Sequence, residues 1–296
     1  MAYKVFIDGM AGTAGLELAT LLEAREDIEI LKIDEDKRKD IDEKVKFFSE
    51  ADISFMCLPD ESARETISRV PDGCRVIDTS TAHRTAEGWT YGLAEIGLRE
   101  EIRKADRVSN PGCHATAFIL AARPLVENGL IAKDADIAVT SITGYSGGGK
   151  KMIAEYEDAE REGLLDSPAQ YALGQQHKHL PEMMKYALLD KEPVFMPVVS
   201  DYYRGMCVSV PVFGGPGVEA TAKLISDYYK DEKLIEVTVC DQPRIYAADM
   251  AGTDACRIYI HGNDERTIVT SCIDNLGKGA AGAAVQNMDI MLGLDK

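Results

Sequence analysis

Apolar and polar positions alternate along the first third of the chain in a repeating strand-and-helix pattern. Short apolar runs predict strands at Tyr3–Ile7, Ile28–Asp34, Ile53–Leu58 and Arg75–Thr79. Between the first two strands, Leu16, Ala19 and Leu22 have the spacing of a helix that runs to Arg25. Asp60 is expected to cap a helix after the third strand. This β-α-β rhythm indicates a parallel sheet with helices on its faces.

The pattern changes at about Asp136, where apolar runs lie closer together with fewer helices between them. Strands are predicted at Ile137–Ile142, Val194–Asp201, Met206–Phe213, Leu234–Cys240, Arg257–Gly262 and Thr267–Asp274. Such a series favours a mixed or antiparallel sheet, and therefore a second domain. The end of the chain, Gly277–Leu292, is rich in Ala and Gly and predicts a closely packed helix. The fold class is thus α/β, with a first domain built on a parallel sheet followed by an α+β domain.

Charge and cysteine content narrow the function classes. The 296-residue chain carries a net charge of −17, which argues against nucleic-acid binding but leaves an anionic small-molecule substrate open. No apolar run reaches the length of a membrane span, and the N-terminus lacks a signal-peptide pattern, so we expect a cytoplasmic enzyme. The seven cysteines contain no C-x-x-C pair, which favours reduced thiols and no metal ribbon.

A glycine-rich segment, Gly9-Met-Ala-Gly12-Thr13-Ala14-Gly15, stands between the first strand and the first helix. Glycines let the backbone approach a ligand, and a helix N-terminus offers N–H groups and a positive dipole end. The spacing G-x-x-G-x-x-G is one residue longer at its start than the usual fingerprint. It predicts a pyrophosphate site for a dinucleotide.

The choice between the two nicotinamide cofactors stays open at the sequence level. Asp34, after the second strand, is suited to a ribose 2′-hydroxyl and favours NAD. Lys37, Arg38 and Lys39, just beyond it, are suited to a 2′-phosphate and favour NADP. We expect NADP, with NAD as the alternative.

Cys113 is the candidate nucleophile. In Asn110-Pro-Gly-Cys-His-Ala-Thr116, Pro111 and Gly112 predict a turn, and the apolar residues from Ala115 onward predict a buried helix. A cysteine at a helix N-terminus has its thiolate stabilised by the dipole and by unpaired N–H groups. Those N–H groups can also stabilise the oxyanion of a tetrahedral adduct.

A nucleophilic cysteine needs an acid–base partner. His177 and His179, just before a helix that Pro181 is expected to start, are the candidates, with a preference for His177. Their H-x-H spacing is also compatible with a metal, but no third ligand stands at metal-binding spacing. The remaining histidines, His83, His114 and His261, are dispersed along the chain and are interpreted as structural.

Four polar residues are candidates for binding the substrate. Ser146 and Lys150 belong to a second glycine loop, between a strand and a helix, which is a natural anion site. Arg204 is expected at a strand end or turn, and Arg84 after the strand that ends near Thr79. An arginine in such a place can bind a carboxylate or a phosphate with two hydrogen bonds.

Taken together, these segments resemble the N-acetyl-γ-glutamyl-phosphate reductases of arginine biosynthesis, in their shorter form. The similarity is carried by Gly9–Gly15, Val76–Ser80, Tyr91–Glu95, Asn110–Thr116, Gly144–Lys150, His177–Glu182, Arg204–Met206 and Asp274–Gly279. It covers essentially the whole chain. One departure is His114, where an aromatic residue is usual after the cysteine, which bears on packing or substrate preference.

The resemblance implies a fold like that of glyceraldehyde-3-phosphate and aspartate-semialdehyde dehydrogenases. A Rossmann domain would comprise residues 1–111 and 275–296, and a catalytic and oligomerisation domain residues 112–274. Cys113 would form a thioester with an acyl phosphate, and Asn275 and Gly277 would lie near the nicotinamide. A homodimer or homotetramer is implied. The open alternatives are another acyl phosphate, such as aspartyl phosphate, and a non-catalytic NAD(P)-binding sensor.

Overall fold

The computed structural model describes residues 2–295. By internal contacts the chain divides into two compact units: unit 1 comprises the residues up to Pro111 and those from Ala280 onward, and unit 2 comprises Gly112–Gly279. The strands are β1 (Tyr3–Asp8), β2 (Ile28–Leu31), β3 (Ile53–Met56), β4 (Val76–Asp78), β5 (Thr90–Tyr91), β6 (Arg107–Ser109), β7 (Ala138–Gly144), β8 (Ala169–Gln170), β9 (Val194–Ser200), β10 (Met206–Phe213), β11 (Ile235–Val239), β12 (Cys256–Asn263) and β13 (Arg266–Ile273). The helices are α1 (Thr13–Glu23), α2 (Ile41–Glu50), α3 (Asp60–Ile67), α4 (Arg99–Lys104), α5 (Cys113–Glu127), α6 (Gly149–Glu157), α7 (Leu180–Tyr186), α8 (Val218–Tyr228) and α9 (Gly282–Leu292).

Unit 1 is built on a six-stranded parallel sheet in the order β2-β1-β3-β4-β6-β5. Both faces are covered. One core gathers apolar side chains of β1, β3, α1 and α9, and the other gathers Phe6, Met56 and Val76 with Phe48 of α2 and Ala63 of α3. The prediction of a parallel sheet between helical layers is confirmed. The strand order reverses beside β1, which is where doubly wound sheets bind nucleotides.

Two local predictions in unit 1 are wrong. The second strand ends at Leu31, not Asp34, because the chain then turns, with the N–H of Lys37 donating to the carbonyl of Asp34 at 3.0 Å. Asp60 is the first residue of α3, not its cap, and its carboxylate instead accepts the N–H of Thr81 at 2.9 Å.

Unit 2 contains a seven-stranded mixed sheet in the order β11-β12-β13-β10-β7-β9-β8. The predicted mixed sheet is confirmed, and its long strands end within two residues of the predicted bounds. Helix α5, almost entirely buried, packs against β10 and β13 on one face. On the other face, Ile142, Val194 and Phe213 remain exposed.

The predicted C-terminal helix begins with a π-helical turn, Gly277–Ala281, and continues as α9. Within residues 2–295, no helix is both long and apolar enough to cross a membrane. Nor does this part of the chain gather three His, Cys, Asp or Glu side chains in a metal-binding group.

Candidate active site

A cavity of about 940 Å³ in unit 1 is lined by the glycine loop and the residues after β2 and β3. Gly9 has a φ of +88°, and a Cβ there would stand 2.3 Å from the carbonyl oxygen of Cys57. A Cβ at Gly15 would stand 2.5 Å from the carbonyl oxygen of Gly9. Side chains at these two positions would therefore distort the loop. Helix α1 begins at Thr13 behind the loop, with Gly12 as its N-cap, so its N–H groups are not capped by a side chain.

The residues that line this cavity include charges of both signs. Arg38 and Lys39 are among its lining residues, together with Lys32 and Glu35. Asp34 is not among them; its exposed carboxylate lies 3.5 Å from the ammonium of Lys37, which also lies outside the lining. Asp34, the acidic residue expected to select NAD, thus does not line the cavity.

A buried ion pair that sequence reasoning missed also lines the cavity. Lys44 of α2 lies 2.9 Å from Asp8 at the end of β1, and both side chains are buried. Burial raises the pKa of Asp8, and Lys44 opposes that shift. Because the two residues are 36 positions apart and lie in different elements, no local sequence pattern predicts their contact.

In unit 2, Cys113 is the first residue of α5, with Gly112 as its extended N-cap. The placement of the cysteine at a helix start is confirmed. The N–H groups of the first turn have no acceptor within the helix and point out from its start, and that turn contains no acidic residue. Gly279 packs directly on the cysteine, since a Cβ at Gly279 would stand 2.7 Å from the Cβ of Cys113.

The other cysteines have a different environment. Cys207, Cys256 and Cys272 are buried. Burial raises the pKa of Cys57 to about 12 and that of Cys207 to about 11. These thiols resist ionisation and are poor nucleophiles. Cys113 alone, among the cysteines of the described residues, stands at the start of a helix.

Glu182 supports the turn before Cys113 and was missed by sequence reasoning. Its buried carboxylate, in the first turn of α7, accepts the N–H of Gly112 at 3.1 Å. The contact ties the segment after the two candidate histidines to the start of α5. In the sequence, Glu182 is visible as an acidic residue just after Pro181, but nothing in its surroundings indicates that it binds the N–H of Gly112.

His177 and His179 lie beside the cysteine helix in a cluster of aromatic rings. Their ring centroids are 4.6 Å apart, and the N–H of His179 donates to Nδ1 of His177 at 3.2 Å. His179 is buried and His177 is half-buried. The ring of His114 lies 5.4 Å from that of His177 and 5.6 Å from that of His179. The three rings therefore form one cluster, although His114 is distant from the other two histidines in the sequence.

His114 forms hydrogen bonds at both ring nitrogens. Nδ1 lies 2.7 Å from the hydroxyl of Ser141 on β7, and Nε2 lies 2.7 Å from the hydroxyl of Tyr171. Burial, and then the neighbouring His177, lower the pKa of His114 to about 3. The ring is therefore neutral at physiological pH.

The loop between Tyr171 and His177 is fastened to the edge of the sheet. The side chain of Gln175 donates to the carbonyl of Phe195 at 2.8 Å and accepts its N–H at 2.9 Å, as a neighbouring strand would. Ala172 and Gln175 both have a φ of +53°, a strained conformation for residues with a side chain. Such strain is typical of loops that hold functional groups in place.

The predicted substrate and nicotinamide residues of unit 2 differ in how deeply they are buried. Asn275 is part of a buried network: its Nδ2 donates to Ser146 at 2.9 Å, and its Oδ1 accepts the N–H of Gly205 at 2.7 Å. Arg204 is half-buried in a turn, with Nε 2.6 Å from the buried carboxylate of Asp274. Lys150, in the first turn of α6, is exposed.

Arg84 belongs to unit 1. Its buried guanidinium donates to the carbonyl of Asn110 at 2.9 Å and to that of Thr79 at 3.2 Å. It thus stabilises the turn that follows β6. Its predicted role toward the substrate stays a prediction.

Family models match both parts of the chain. Residues 4–105 match the semialdehyde dehydrogenase NAD binding domain, and residues 113–275 match the semialdehyde dehydrogenase dimerisation domain. The second match alone covers more than half of the chain.

Curated relatives match over almost the full length. A protein of Nostoc sp. named N-acetyl-gamma-glutamyl-phosphate reductase 2 is 40% identical, covering 98% of this chain and 97% of its own. A protein of Brucella anthropi named N-acetyl-gamma-glutamyl-phosphate reductase is also 40% identical, covering 99% of each chain.

Solved structures share the fold at low sequence identity. The crystal structure of aspartate semialdehyde dehydrogenase II from Vibrio cholerae, complexed with ASA, has a TM-score of 0.73 at 16% identity and covers 100% of both chains. A probable aspartate-semialdehyde dehydrogenase from Pseudomonas aeruginosa has a TM-score of 0.73 at 17% identity and covers 99% of both.

Proposed function

The chain belongs to the semialdehyde dehydrogenase family, in its group of N-acetyl-γ-glutamyl-phosphate reductases, and from that premise we propose the reaction that it catalyses. It reduces N-acetyl-γ-glutamyl phosphate to N-acetylglutamate 5-semialdehyde with a nicotinamide cofactor, a step of arginine biosynthesis. The observation that carries the mechanism is Cys113 at the start of α5, in the unit that also holds the His114, His177 and His179 cluster.

The glycine loop of unit 1 fits a dinucleotide. Gly9 and Gly15 leave a backbone cradle that side chains would fill, and the uncapped start of α1 suits a pyrophosphate. Thr13 and Ala14 would contribute N–H groups, while Gly12 lines the cavity and donates its own N–H to the carbonyl of Gly9 at 3.0 Å. Arg38 and Lys39 line the cavity while Asp34 does not, which supports NADP over NAD. When bound, the nicotinamide supplies the hydride. The assignment of Asn275 and Gly277 to the nicotinamide remains a prediction from the resemblance.

Cys113 is the nucleophile of the proposal. Its thiolate attacks the acyl-phosphate carbonyl, phosphate leaves, and a thioester remains on the sulfur. The N–H groups at the start of α5 stabilise the oxyanion of each tetrahedral adduct. After reduction, the thiohemiacetal collapses, which releases the semialdehyde and restores the thiol.

His177 is the acid–base residue that we favour, with His179 as the alternative. His177 is the more exposed of the two, and its Nδ1 already accepts a backbone N–H. With Nδ1 as an acceptor, the neutral ring carries its proton at Nε2, and this N–H is the donor that would stabilise the thiohemiacetal oxygen. His179, more deeply buried, would act through its packing on His177.

The departing phosphate and the substrate carboxylate need cationic and hydroxyl donors. Lys150 is exposed at the start of α6, and Arg204 keeps part of its guanidinium accessible beside Asp274. Ser146 positions Asn275 in the same unit. We assign phosphate binding to Lys150 and Arg204, with Ser146 and Arg84 as further candidates.

The protein assembles with further copies of itself, since more than half of the chain matches a dimerisation domain. Ile142, Val194 and Phe213 expose apolar surface on one face of the unit 2 sheet and would form the interface. We propose a homodimer or homotetramer that works in the cytoplasm. Light scattering would distinguish the two states.

The proposal is tested by following reduced nicotinamide in the reverse direction. N-acetylglutamate semialdehyde and phosphate are offered with NADP and, separately, with NAD; aspartate semialdehyde replaces the substrate in a matched reaction. Phosphate-dependent reduction of NADP with the first substrate alone is the expected result. Turnover with aspartate semialdehyde instead would assign the enzyme to another acyl phosphate. Cofactor binding without turnover would indicate a sensor.

A further inference from the structure

A chain of three side chains crosses unit 2 next to Cys113. The hydroxyl of Ser141, the imidazole of His114 and the hydroxyl of Tyr171 follow each other at 2.7 Å and 2.7 Å. Ser141 and His114 are buried and Tyr171 is half-buried. Because a neutral imidazole donates from one nitrogen and accepts at the other, the chain has two possible directions.

Satisfying the buried hydrogen-bond donors selects one of these directions. In the part of the chain that the structure describes, His114 is the partner of the Ser141 hydroxyl, and no second acceptor for that hydroxyl is present. If Nδ1 of His114 carried the proton, the O–H of Ser141 would be buried without an acceptor, at a cost of about 1 to 3 kcal/mol. The favoured order therefore has Ser141 donating to Nδ1 and the N–H at Nε2 donating to the Tyr171 oxygen.

This order leaves the hydrogen of the Tyr171 hydroxyl directed away from His114. We propose that His114 is a positioning residue that, with Ser141, makes the Tyr171 hydroxyl a hydrogen-bond donor to an oxygen of the substrate held at Cys113. The assignment rests on the proposed function for its substrate, but the order of the hydrogen bonds does not depend on it. Cys113 lies close enough to Tyr171 that its charge, after burial, contributes to raising the pKa of the phenol.

The same geometry gives the residue after the cysteine a defined role. A ring with hydrogen bonds at only one end could not link Ser141 to Tyr171 in this way. His114 also packs edge-on against Phe195 and His177, with centroids at 5.2 Å and 5.4 Å, so its ring has little freedom to turn. Its neutral state follows from burial, and it holds the donor direction without exchanging protons itself.

Nitrogen-15 NMR of histidine-labelled full-length protein tests the hydrogen-bond order directly. The His114 signals are assigned by their disappearance in His114→Phe. A neutral ring protonated at Nε2 is expected between about pH 6 and pH 8, a range that lies well above the pKa of His114 of about 3. Protonation at Nδ1, or a charged ring, would overturn the proposal. This readout needs no substrate, so it stands apart from any failure of the proposed reaction.

Kinetics of the reverse reaction test whether this order of hydrogen bonds contributes to catalysis. Tyr171→Phe is expected to lower kcat/KM on the order of 100-fold, the typical effect of removing one preorganised donor. His114→Phe should lower it nearly as much in the wild-type background and by less than about twofold in the Tyr171→Phe background. Equal effects of His114→Phe in both backgrounds would show a merely structural role and overturn the proposal.

Ser141 offers a matched pair of variants in case His114→Phe does not fold. Ser141→Thr keeps the hydroxyl and should keep both the Nε2 protonation and the activity within about twofold. Ser141→Ala removes the donor and should shift part of the population to Nδ1 protonation, with a loss of about threefold in kcat/KM. The rate of Cys113 alkylation should stay within about twofold in both Ser141 variants, since the residues at the start of α5 are unchanged. Identical tautomers in Ser141→Ala and wild type would contradict the role of Ser141.

Discussion

The cavity of unit 1 and the cysteine site of unit 2 both lie at the start of a helix, but the first is open and the second is packed. Each places the start of a helix behind a glycine-containing turn: α1 after Gly12 and α5 after Gly112. The start of α1 faces a cavity of about 940 Å³ lined by long charged side chains. The start of α5 is packed, with Gly279 against Cys113 and Glu182 bonded to the turn.

This difference agrees with the function proposed for each site. A dinucleotide needs a large cavity, and in the proposed function flexible side chains of its lining, such as Arg38 and Lys39, would pair with its charges. Chemistry at one sulfur atom needs neighbours whose positions are fixed by packing and hydrogen bonds. Substitutions at the cavity of unit 1 should therefore affect cofactor binding, and substitutions at the cysteine site should affect the chemical steps.

The largest expected effect separates the two regions completely. Cys113→Ser should lower turnover on the order of 10⁴-fold or more, because a hydroxyl is a far weaker nucleophile than a thiolate. NADP affinity, measured by fluorescence titration, should stay within about twofold. Cys240→Ser, which alters a half-buried cysteine on the far edge of the sheet, is the matched control and should retain activity. Substantial turnover by Cys113→Ser would rule out the covalent mechanism.

The converse change disturbs unit 1 alone. Gly15→Ala places a methyl group 2.5 Å from the carbonyl oxygen of Gly9 and 2.7 Å from Cα of Met10. The loop must shift, and NADP affinity should fall on the order of 100-fold, while the rate of Cys113 alkylation stays unchanged. Gly163→Ala, where a Cβ meets no atom within 4 Å, should change neither quantity. Normal NADP binding by Gly15→Ala would mean that the cofactor binds elsewhere.

Burial of His114 beside Cys113 should also make the free energy of unfolding depend on pH. Burial lowers the pKa of His114 to about 3 in the folded state, so below about pH 6.5 the unfolded chain binds a proton that the folded chain does not. Stability is therefore lost as the pH falls. Between pH 7 and pH 5 the wild type should lose about 2 kcal/mol more than His114→Phe, measured by urea unfolding. Parallel losses in both proteins would show that His114 is not buried in its neutral form.

The smallest effect concerns cofactor choice at the rim of the open cavity. Arg38→Ala should lower the preference for NADP over NAD about fivefold, as expected for one partly exposed contact to a phosphate. Lys37→Ala is the matched control, because Lys37 pairs with Asp34 and does not line the cavity. An equal effect of both variants would indicate a diffuse charge effect and not a 2′-phosphate site.

Features of the two sites that depend on residues adjacent in the sequence were predictable from it. The glycine loop after β1 and the cysteine at the start of α5 follow from turn residues next to apolar periodicity, and both were found where expected. The end of the second strand was not, because the apolar run continues past Leu31 while the backbone already turns at Asp34.

The contacts that complete each site join residues far apart in the chain. Ser141 and Tyr171 lie 27 and 57 positions from His114, and Glu182 lies 70 positions from Gly112. The apolar residues from Ala115 onward predict only a buried helix, and they carry no information on which side chains surround His114. The cluster is therefore a product of the tertiary fold.

The most direct test of the thioester on Cys113 is a phosphate-free burst. The protein is mixed with N-acetylglutamate semialdehyde and NADP without phosphate, and reduced cofactor and the mass of the peptide containing Cys113 are measured together. We predict one equivalent of reduced cofactor per chain, an N-acetylglutamyl group on Cys113, and steady turnover when phosphate is added. Steady turnover on adding phosphate without a preceding burst, or the acyl group on another residue, would contradict the mechanism.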